Sequence, residues 1–157
     1  AAGAQMLNDV NGLLYPYDFK KILIITNAGG AGTVMSDLIS NKLYALSENE
    51  MDKLSEILPS HWSKNNPVDI IGDASDERYL KTIKVADDFN ADAIYVIITP
   101  QFMTNPEGIC KLFVEQRFRT KIFPILLGGE IMQPAKNYLQ KHSINFFEEL
   151  TEAVSFL

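Results

Sequence analysis

The chain has 157 residues and a formal net charge of −6, from 20 acidic and 14 basic side chains, a length that suits one domain with a sizeable core. Hydrophobic residues make up 46% of it and charged residues 22%, as in ordinary soluble globular proteins. The acidic balance argues against a nucleic-acid groove, which needs a basic stripe facing the phosphates, and no apolar run approaches the roughly 20 residues that span a bilayer.

The chain opens Ala1-Ala2-Gly3-Ala4-Gln5, without an initiator methionine or the basic and apolar regions of a signal peptide. We read it as a processed chain or a piece of a longer, multidomain protein. From Gln5 to Leu14, the residues Met6, Leu7, Val10, Leu13 and Leu14 recur at helical spacing until Pro16 breaks the pattern. Residues 1–19 therefore read as an N-terminal helix and linker, and residues 20–157 as the domain proper.

Ile22-Leu23-Ile24-Ile25 is an apolar, β-branched run suited to a strand buried on both faces. Gly29, Gly30 and Gly32 follow, and then a helix from about Thr33 to Lys42. Leu43 to Leu46 is a weak strand, and Ser47 with Glu50 forms a capping box for a helix that stops before Pro59. Val68 to Ile71 reads as a short strand, Ser75 to Phe89 as an amphipathic helix, and Ala93 to Ile98 as a second buried strand. Asn105 caps a helix opening at Pro106. Ile122 to Leu127 is the next strand, Gln133 to Lys141 a helix and Ile144 to Phe147 the last strand, with a closing helix from about Glu148. Strands alternating with helices imply right-handed crossovers and a parallel sheet covered on both faces. The expected fold is a three-layer α/β, flavodoxin-like domain with a five-stranded parallel sheet in the order 2-1-3-4-5.

In such a sheet, ligands bind outside the carboxyl ends of the strands. Four of these ends are rich in glycine and polar residues: Thr26 to Gly32, Asn66 to Asp73, Thr99-Pro100-Gln101, and Gly128-Gly129-Glu130. In the first, glycines between a buried strand and a helix let backbone N–H groups face a ligand with the helix dipole behind them, which suits phosphate. The same glycines also suit a tight turn with close helix–strand packing. The Lys-Ser/Thr of a Walker loop and the spacing of a dinucleotide fingerprint are both absent. Asp69, a charge inside a short strand, needs a partner. It either bonds loop N–H groups to hold the site, the favoured reading, or takes part in chemistry.

The other polar residues carry no catalytic constellation. His61 reads as a surface residue and His142 as a helix-end residue, and no metal-ligand spacing occurs. Asp87-Asp88 and Glu148-Glu149 read as solvated helix faces, and Arg117 and Arg119 as partners of a helix C-terminus. The single cysteine, Cys110, excludes an internal disulfide, fits a reducing, cytoplasmic setting, and lies on an apolar face as a small buried hydrophobe. A receiver domain would need acidic residues after the first strand, and an FMN site a hydroxyl-rich first loop. Thr26-Asn27-Ala28 offers neither.

Ile24 to Gly32 closely resembles a signature of the ADP-forming acetyl-CoA synthetases, within the NDP-forming acyl-CoA synthetase superfamily that includes succinyl-CoA synthetase. Asn66-Pro67-Val68-Asp69 with Gly72-Asp73 resembles a second signature, and Thr99-Pro100-Gln101 with Met103-Thr104 a third. All three stand in the family's order, and the likeness runs from Lys20 to the C-terminus. Ala31 departs from the pattern, which usually has proline there. The resemblance is to the flavodoxin-like CoA-ligase domain related to the carboxyl-terminal domain of the succinyl-CoA synthetase β subunit.

It implies a part of an acid–thiol ligase whose glycine-loop helix points at a phosphohistidine supplied by another domain. Asn27, Ala28, Gly29, Gly30 and Gly32 would then form the phosphate-binding set. Asn66, Asp69, Thr99, Pro100, Gln101, Gly128, Gly129 and Glu130 would shape the site. The implied partners are CoA-binding, phosphohistidine and ATP-grasp domains, in the same polypeptide or in partner subunits. CoA, ADP/ATP, Mg2+ and phosphate would serve the whole enzyme, and none is expected to be held tightly by this domain. Neither His61 nor His142 stands in the family's Ser-His-Thr-Gly context, so the isolated chain is expected to be inactive. The alternative from another class is a non-catalytic ligand-sensing or interaction module on the same fold. A homo-oligomer is compatible with either.

Overall fold

The structure is a computed structural model that describes residues 18–157 and the backbone of two strands, β1 (Met6–Asn8) and β2 (Leu14–Pro16). These strands pair antiparallel with Leu7 opposite Tyr15, which corrects the helix expected from the apolar spacing. A helix this short is marginal without packing. The rest of the expected helix and linker lies outside the described residues.

Strands β3 (Ile22–Thr26), β4 (Val68–Asp69), β5 (Ala93–Ile98) and β6 (Lys121–Leu126) form a parallel sheet in the order β4-β3-β5-β6. In order of appearance this is 2-1-3-4, one strand short of the expected five. At the far edge, Phe147 makes a single bridge to Ile125. Its N–H donates to the Pro124 carbonyl at 2.9 Å, and its carbonyl accepts from the Leu126 N–H at 2.8 Å. The ladder cannot extend back toward residue 145, because Pro124 has no N–H on that edge.

The other edge is also interrupted. Leu43 bridges Ile22, and the Tyr44 N–H donates to the Ile22 carbonyl at 2.9 Å. The same flank of β3 then pairs at Ile25 and Thr26 with β4. Between these half-strands sits the side chain of Asn66, only 6% exposed. Its Oδ1 accepts from the Ile24 N–H at 3.0 Å, and its Nδ2 donates to the carbonyls of Ile22 and Tyr44 at 2.8 Å each. One amide side chain thus substitutes for a missing stretch of strand backbone.

Helices cover both faces. Ile22 and Ile24 point to one core with Met35 and Ile39 of α1 (Gly29–Ile39) and Ala153 of α6 (Leu150–Val154). Leu23 and Ile25 point to the other, as strand alternation requires. There they meet α2 (Glu48–Ser55), α3 (Asp76–Ala86), α4 (Pro106–Glu115) and α5 (Gln133–Lys141). The capping box at Ser47 and Glu50 forms, and the Asn105 side chain accepts from the Gly108 N–H above Pro106. The main departure is α1, which opens at Gly29 rather than Thr33.

Cys110 of α4 is fully buried. Burial, helped by the charge of Glu107, pushes its thiol up to about 12. At pH 8 a maleimide should therefore leave Cys110 unlabelled in the folded protein and label it fully in denaturant. Rapid labelling of the native state, read by mass spectrometry, would contradict the packing of α4.

Candidate functional site

Because β3 is followed on one side by β4 and on the other by β5, the topological switch lies between β3 and β5. That crevice is closed by Asn27, which is 1% exposed. Its Nδ2 donates to the Thr99 carbonyl at 2.9 Å and to Thr104 Oγ1 at 3.1 Å. Its Oδ1 accepts from the Thr99 N–H and hydroxyl, both at 2.9 Å. With all its hydrogen-bonding capacity in use, Asn27 ties β3 to β5 and has no amide proton left for a phosphate.

The opening lies on the other side, at the start of α1. Thr26 Oγ1 accepts from the Ala28 N–H and donates to the Ala28 carbonyl, both at 3.0 Å, which fixes the turn. Ala28 is the N-cap and has no side chain to offer the helix. By contrast, Ser47, Ser75 and Asn105 cap α2, α3 and α4 with their side chains. The N–H groups of Gly29, Gly30 and Ala31 therefore have no partner within the helix. No acidic residue stands in that first turn, so the positive end of the dipole is not offset from within the helix.

The three glycines do different work. A Cβ on Gly30 would meet nothing within 4 Å. One on Gly29 would lie 2.9 Å from Asp69 Oδ2. One on Gly32 would lie 2.9 Å from Thr26 Cγ2 and 3.1 Å from Pro67 Cβ. Gly32 is buried, and its N–H donates to the Ala28 carbonyl at 3.1 Å. It serves helix–strand packing and cannot also donate to an anion, and Ala28 spends its N–H on Thr26. Of the five residues expected to form the phosphate set, only Gly29 and Gly30 present open N–H groups, and Ala31 joins them. Ala31 stood outside the expected set as the position where the resembling pattern usually has proline; alanine there keeps an N–H that proline would lack.

Beside this terminus lies a cleft of about 220 Å³ lined by Thr26, Gly29, Thr33, Asn65, Pro67 and Asp69, with Ser63 completing it. Asp69 Oδ1 accepts from the Ile71 N–H at 2.9 Å, so it does bond a loop N–H group. Asn66 lies within the sheet edge and does not shape the cleft, a correction to its expected place. Thr99 acts through Asn27, and Gln101 donates to Thr99 Oγ1 at 3.0 Å. A Cβ on Gly72 would lie 3.6 Å from Gln101 Oε1, and one on Gly128 would lie 2.9 Å from Pro100 Cδ. The four strand ends thus form one continuous rim. Gly128, at φ 146°, and Gly129, at φ 61°, occupy backbone conformations that favour glycine, and Glu130 is exposed beyond them.

Several charged groups differ from their expected roles. Glu148 is not a purely solvated carboxylate: it pairs at 2.6 Å with Lys136, whose ammonium also donates to the Gly129 carbonyl at 3.3 Å. Lys136 is only 7% exposed, and neither it nor this pairing was visible in sequence spacing. Asp87 accepts from the N–H groups of Arg119 and Thr120. Arg119 reaches the Asp87 carbonyl at the end of α3, so it meets a helix C-terminus, though not that of the preceding α4. Arg78, hydrogen-bonded to Asp73, holds that carboxyl below its ordinary value. His142 bonds and stacks against Tyr138 at the end of α5, and His61 is exposed.

Comparison with known proteins places the chain. A family model for the Ligase-CoA domain matches residues 22–156. The chain belongs to the Ligase-CoA domain family. It is 33% identical to the alpha subunit of ADP-forming acetate–CoA ligase II from Pyrococcus furiosus, over 82% of this chain and 30% of that one. It is 30% identical to ADP-forming acetate–CoA ligase I from Archaeoglobus fulgidus, over 100% of this chain and 24% of that protein. Among solved structures, it resembles the dinucleotide-forming acetyl-coenzyme A synthetase 1 of Ca. Korarchaeum cryptofilum in complex with phosphate and ADP. That match has a TM-score of 0.77 at 24% identity and covers 88% of this chain and 32% of that one, and it bears on the fold alone. This Ligase-CoA domain thus spans only 24% to 32% of the length of these three proteins.

Proposed function

We propose that this Ligase-CoA domain is the phosphoryl-stabilising part of an ADP-forming acetate–CoA ligase, and that it receives a phosphohistidine carried by another domain. The observation that carries this reading is the start of α1: three N–H groups without a partner in the helix, open space at Gly30 with the Asp69 carboxylate to one side at Gly29, and no side-chain cap or acidic residue in the first turn. Such donors favour a phosphoryl group and stabilise the charge that develops on its oxygens during transfer. They are held on rigid elements by the Thr26 and Asn27 hydrogen bonds, so little reorganisation is needed when charge arrives.

The phosphoryl group must be brought from elsewhere. His142 is committed to Tyr138, and among the described residues the exposed His61 makes no hydrogen bond to the α1 terminus. On this reading the full-length protein uses CoA, ADP or ATP, Mg2+ and phosphate, this domain binds none of them tightly, and the isolated domain has no activity. CoA-binding, phosphohistidine and ATP-grasp domains would come from the same polypeptide or from partner subunits.

The direct test is phosphate-dependent ATP formation by the full-length natural protein with acetyl-CoA, ADP and Mg2+. ATP formation is the expected result. Inertness with acetyl-, propionyl- and succinyl-CoA and either ADP or GDP would overturn the reading, in favour of a sensing or interaction module.

A further inference from the structure

The cleft beside α1 presents a charged acceptor as well as donors, and phosphoryl stabilisation alone does not call for one. Asp69 ends β4, and its two carboxylate oxygens have different fates. Oδ1 accepts from the Ile71 N–H at 2.9 Å, and the Asp69 N–H donates to Ser63 Oγ at 2.9 Å, so the residue is tethered at both ends. Oδ2 lies beside the first residue of α1, 2.9 Å from where a Cβ on Gly29 would stand. Among the described residues it accepts no hydrogen bond. Glycine at position 29 is what lets this oxygen stay next to the open N–H groups, since a side chain there would push it away.

The other side chains of the cleft offer an anion little. Thr26 gives its hydroxyl proton to the Ala28 carbonyl, Thr33 to the Gly29 carbonyl at 3.1 Å, and Ser63 to the Pro67 carbonyl at 2.6 Å. The site thus consists of the N–H groups of Gly29, Gly30 and Ala31 on one side and a free carboxylate oxygen on the other. For a bare anion that pairing is self-defeating, because like charges this close repel even through water. For an anion that carries its own proton it is complementary. Orthophosphate near neutral pH keeps at least one proton on its oxygens, whereas sulfate, of similar size and shape, keeps none.

We infer that Asp69 is a specificity-determining residue for the phosphate that enters at α1: its Oδ2 accepts from a P–OH group and so selects phosphate against fully ionised oxyanions. This inference rests on the proposed function, in which phosphate is a substrate of the full-length protein. The N–H groups meet the unprotonated oxygens, and the P–OH donates to a carboxylate, which makes a short, charge-assisted hydrogen bond. The proton stays on the phosphate and no covalent bond changes. Sulfate gains the N–H contacts but leaves the carboxylate unpaired against a second negative charge, so the same residue rewards one anion and penalises the other.

The test uses the full-length natural protein with acetyl-CoA, ADP and Mg2+, at constant ionic strength, with phosphate varied and sulfate as its competitor. In the unaltered protein the inhibition constant of sulfate should exceed the KM for phosphate by about tenfold or more, the factor that a hydrogen bond to a charged group supplies. In Asp69→Asn the ratio of the two constants should fall by about tenfold, because the amide carries no charge and can donate to sulfate. Asparagine keeps Oδ1 for the Ile71 N–H, so folding should survive, as circular dichroism can verify, and the ratio in the unaltered protein is a test that needs no variant. A purely structural role for Asp69 would weaken both anions alike and leave the ratio where it was. Sulfate competing as well as phosphate in the unaltered protein, or an unchanged ratio in the variant, would overturn this inference alone. If the unaltered protein makes no ATP from phosphate, the proposed function falls and the inference falls with it.

Discussion

Replacing Asn66 with alanine is expected to lower the unfolding free energy by about 3–4 kcal/mol, one of the largest effects available in this chain from a single polar side chain. The substitution removes three hydrogen bonds at once and strands the Ile24 N–H and the Tyr44 carbonyl beside it, while the Ile22 carbonyl keeps the Tyr44 N–H at 2.9 Å. Each buried, unsatisfied polar group costs roughly 1–3 kcal/mol, and relaxation or water entry recovers part of that. Aspartate at 66 separates donor chemistry from volume. It is close to isosteric and can still accept from Ile24, but it would aim an acceptor at two carbonyl oxygens. Asn66→Asp should therefore destabilise at least as much as alanine near neutral pH. Urea unfolding measures both, with the m-value as a check that the transition stays two-state. An aspartate variant within about 1 kcal/mol of the unaltered protein would show that Asn66 is not the splice between the half-strands.

That role could not be read from the sequence. Asn66 stands beside Pro67 in a motif that resembles a family signature, and the resemblance directed it toward the ligand. What the sequence does reveal is whatever depends on local pattern. The runs at Ile22 and Ala93 are apolar at every position because helices cover both faces of the sheet. The caps at Ser47 and Asn105 are legible because the capping residue and its partner lie within one turn. Features that depend on distant partners stay hidden. Lys136 and Glu148 form their ion pair across a connection, and Asn27 meets Thr99 only when two crossovers bring β3 beside β5.

The helix start was misplaced for a different reason. Glycine is the poorest helix former after proline, so a cluster of three glycines reads as loop. Here they occupy the first turn of α1, where each is fixed by what lies against it. Gly29 makes room for Asp69, Gly32 for Thr26 and Pro67, and Gly30 for nothing among the described residues. The fifth strand shrinks to one bridge because Pro124, apolar and acceptable in a pattern, lacks the N–H that the ladder needs.

The empty surroundings of Gly30 make it the position where function separates most cleanly from folding. Gly30→Trp in the full-length protein is expected to reduce phosphate-dependent ATP formation by about 100-fold or more, the scale seen when donors to a developing anion are lost. Stability should change by less than about 1 kcal/mol, since tryptophan is the better helix former and meets no neighbour there. The large effect on turnover follows from direction. A Cα–Cβ bond in a helix tilts toward the N-terminus, so an indole at the second helical residue projects over the N–H groups of the first turn. It blocks a phosphoryl group without removing any donor. Gly30→Ala adds one methyl group in the same direction and should fall between the two. The measurement is turnover across glycine, alanine and tryptophan at this position, with thermal unfolding alongside. If turnover tracks side-chain size while stability stays level, the α1 terminus is where the phosphoryl group binds. A fully active tryptophan variant would mean that no ligand approaches these N–H groups, whatever the remainder of the enzyme does.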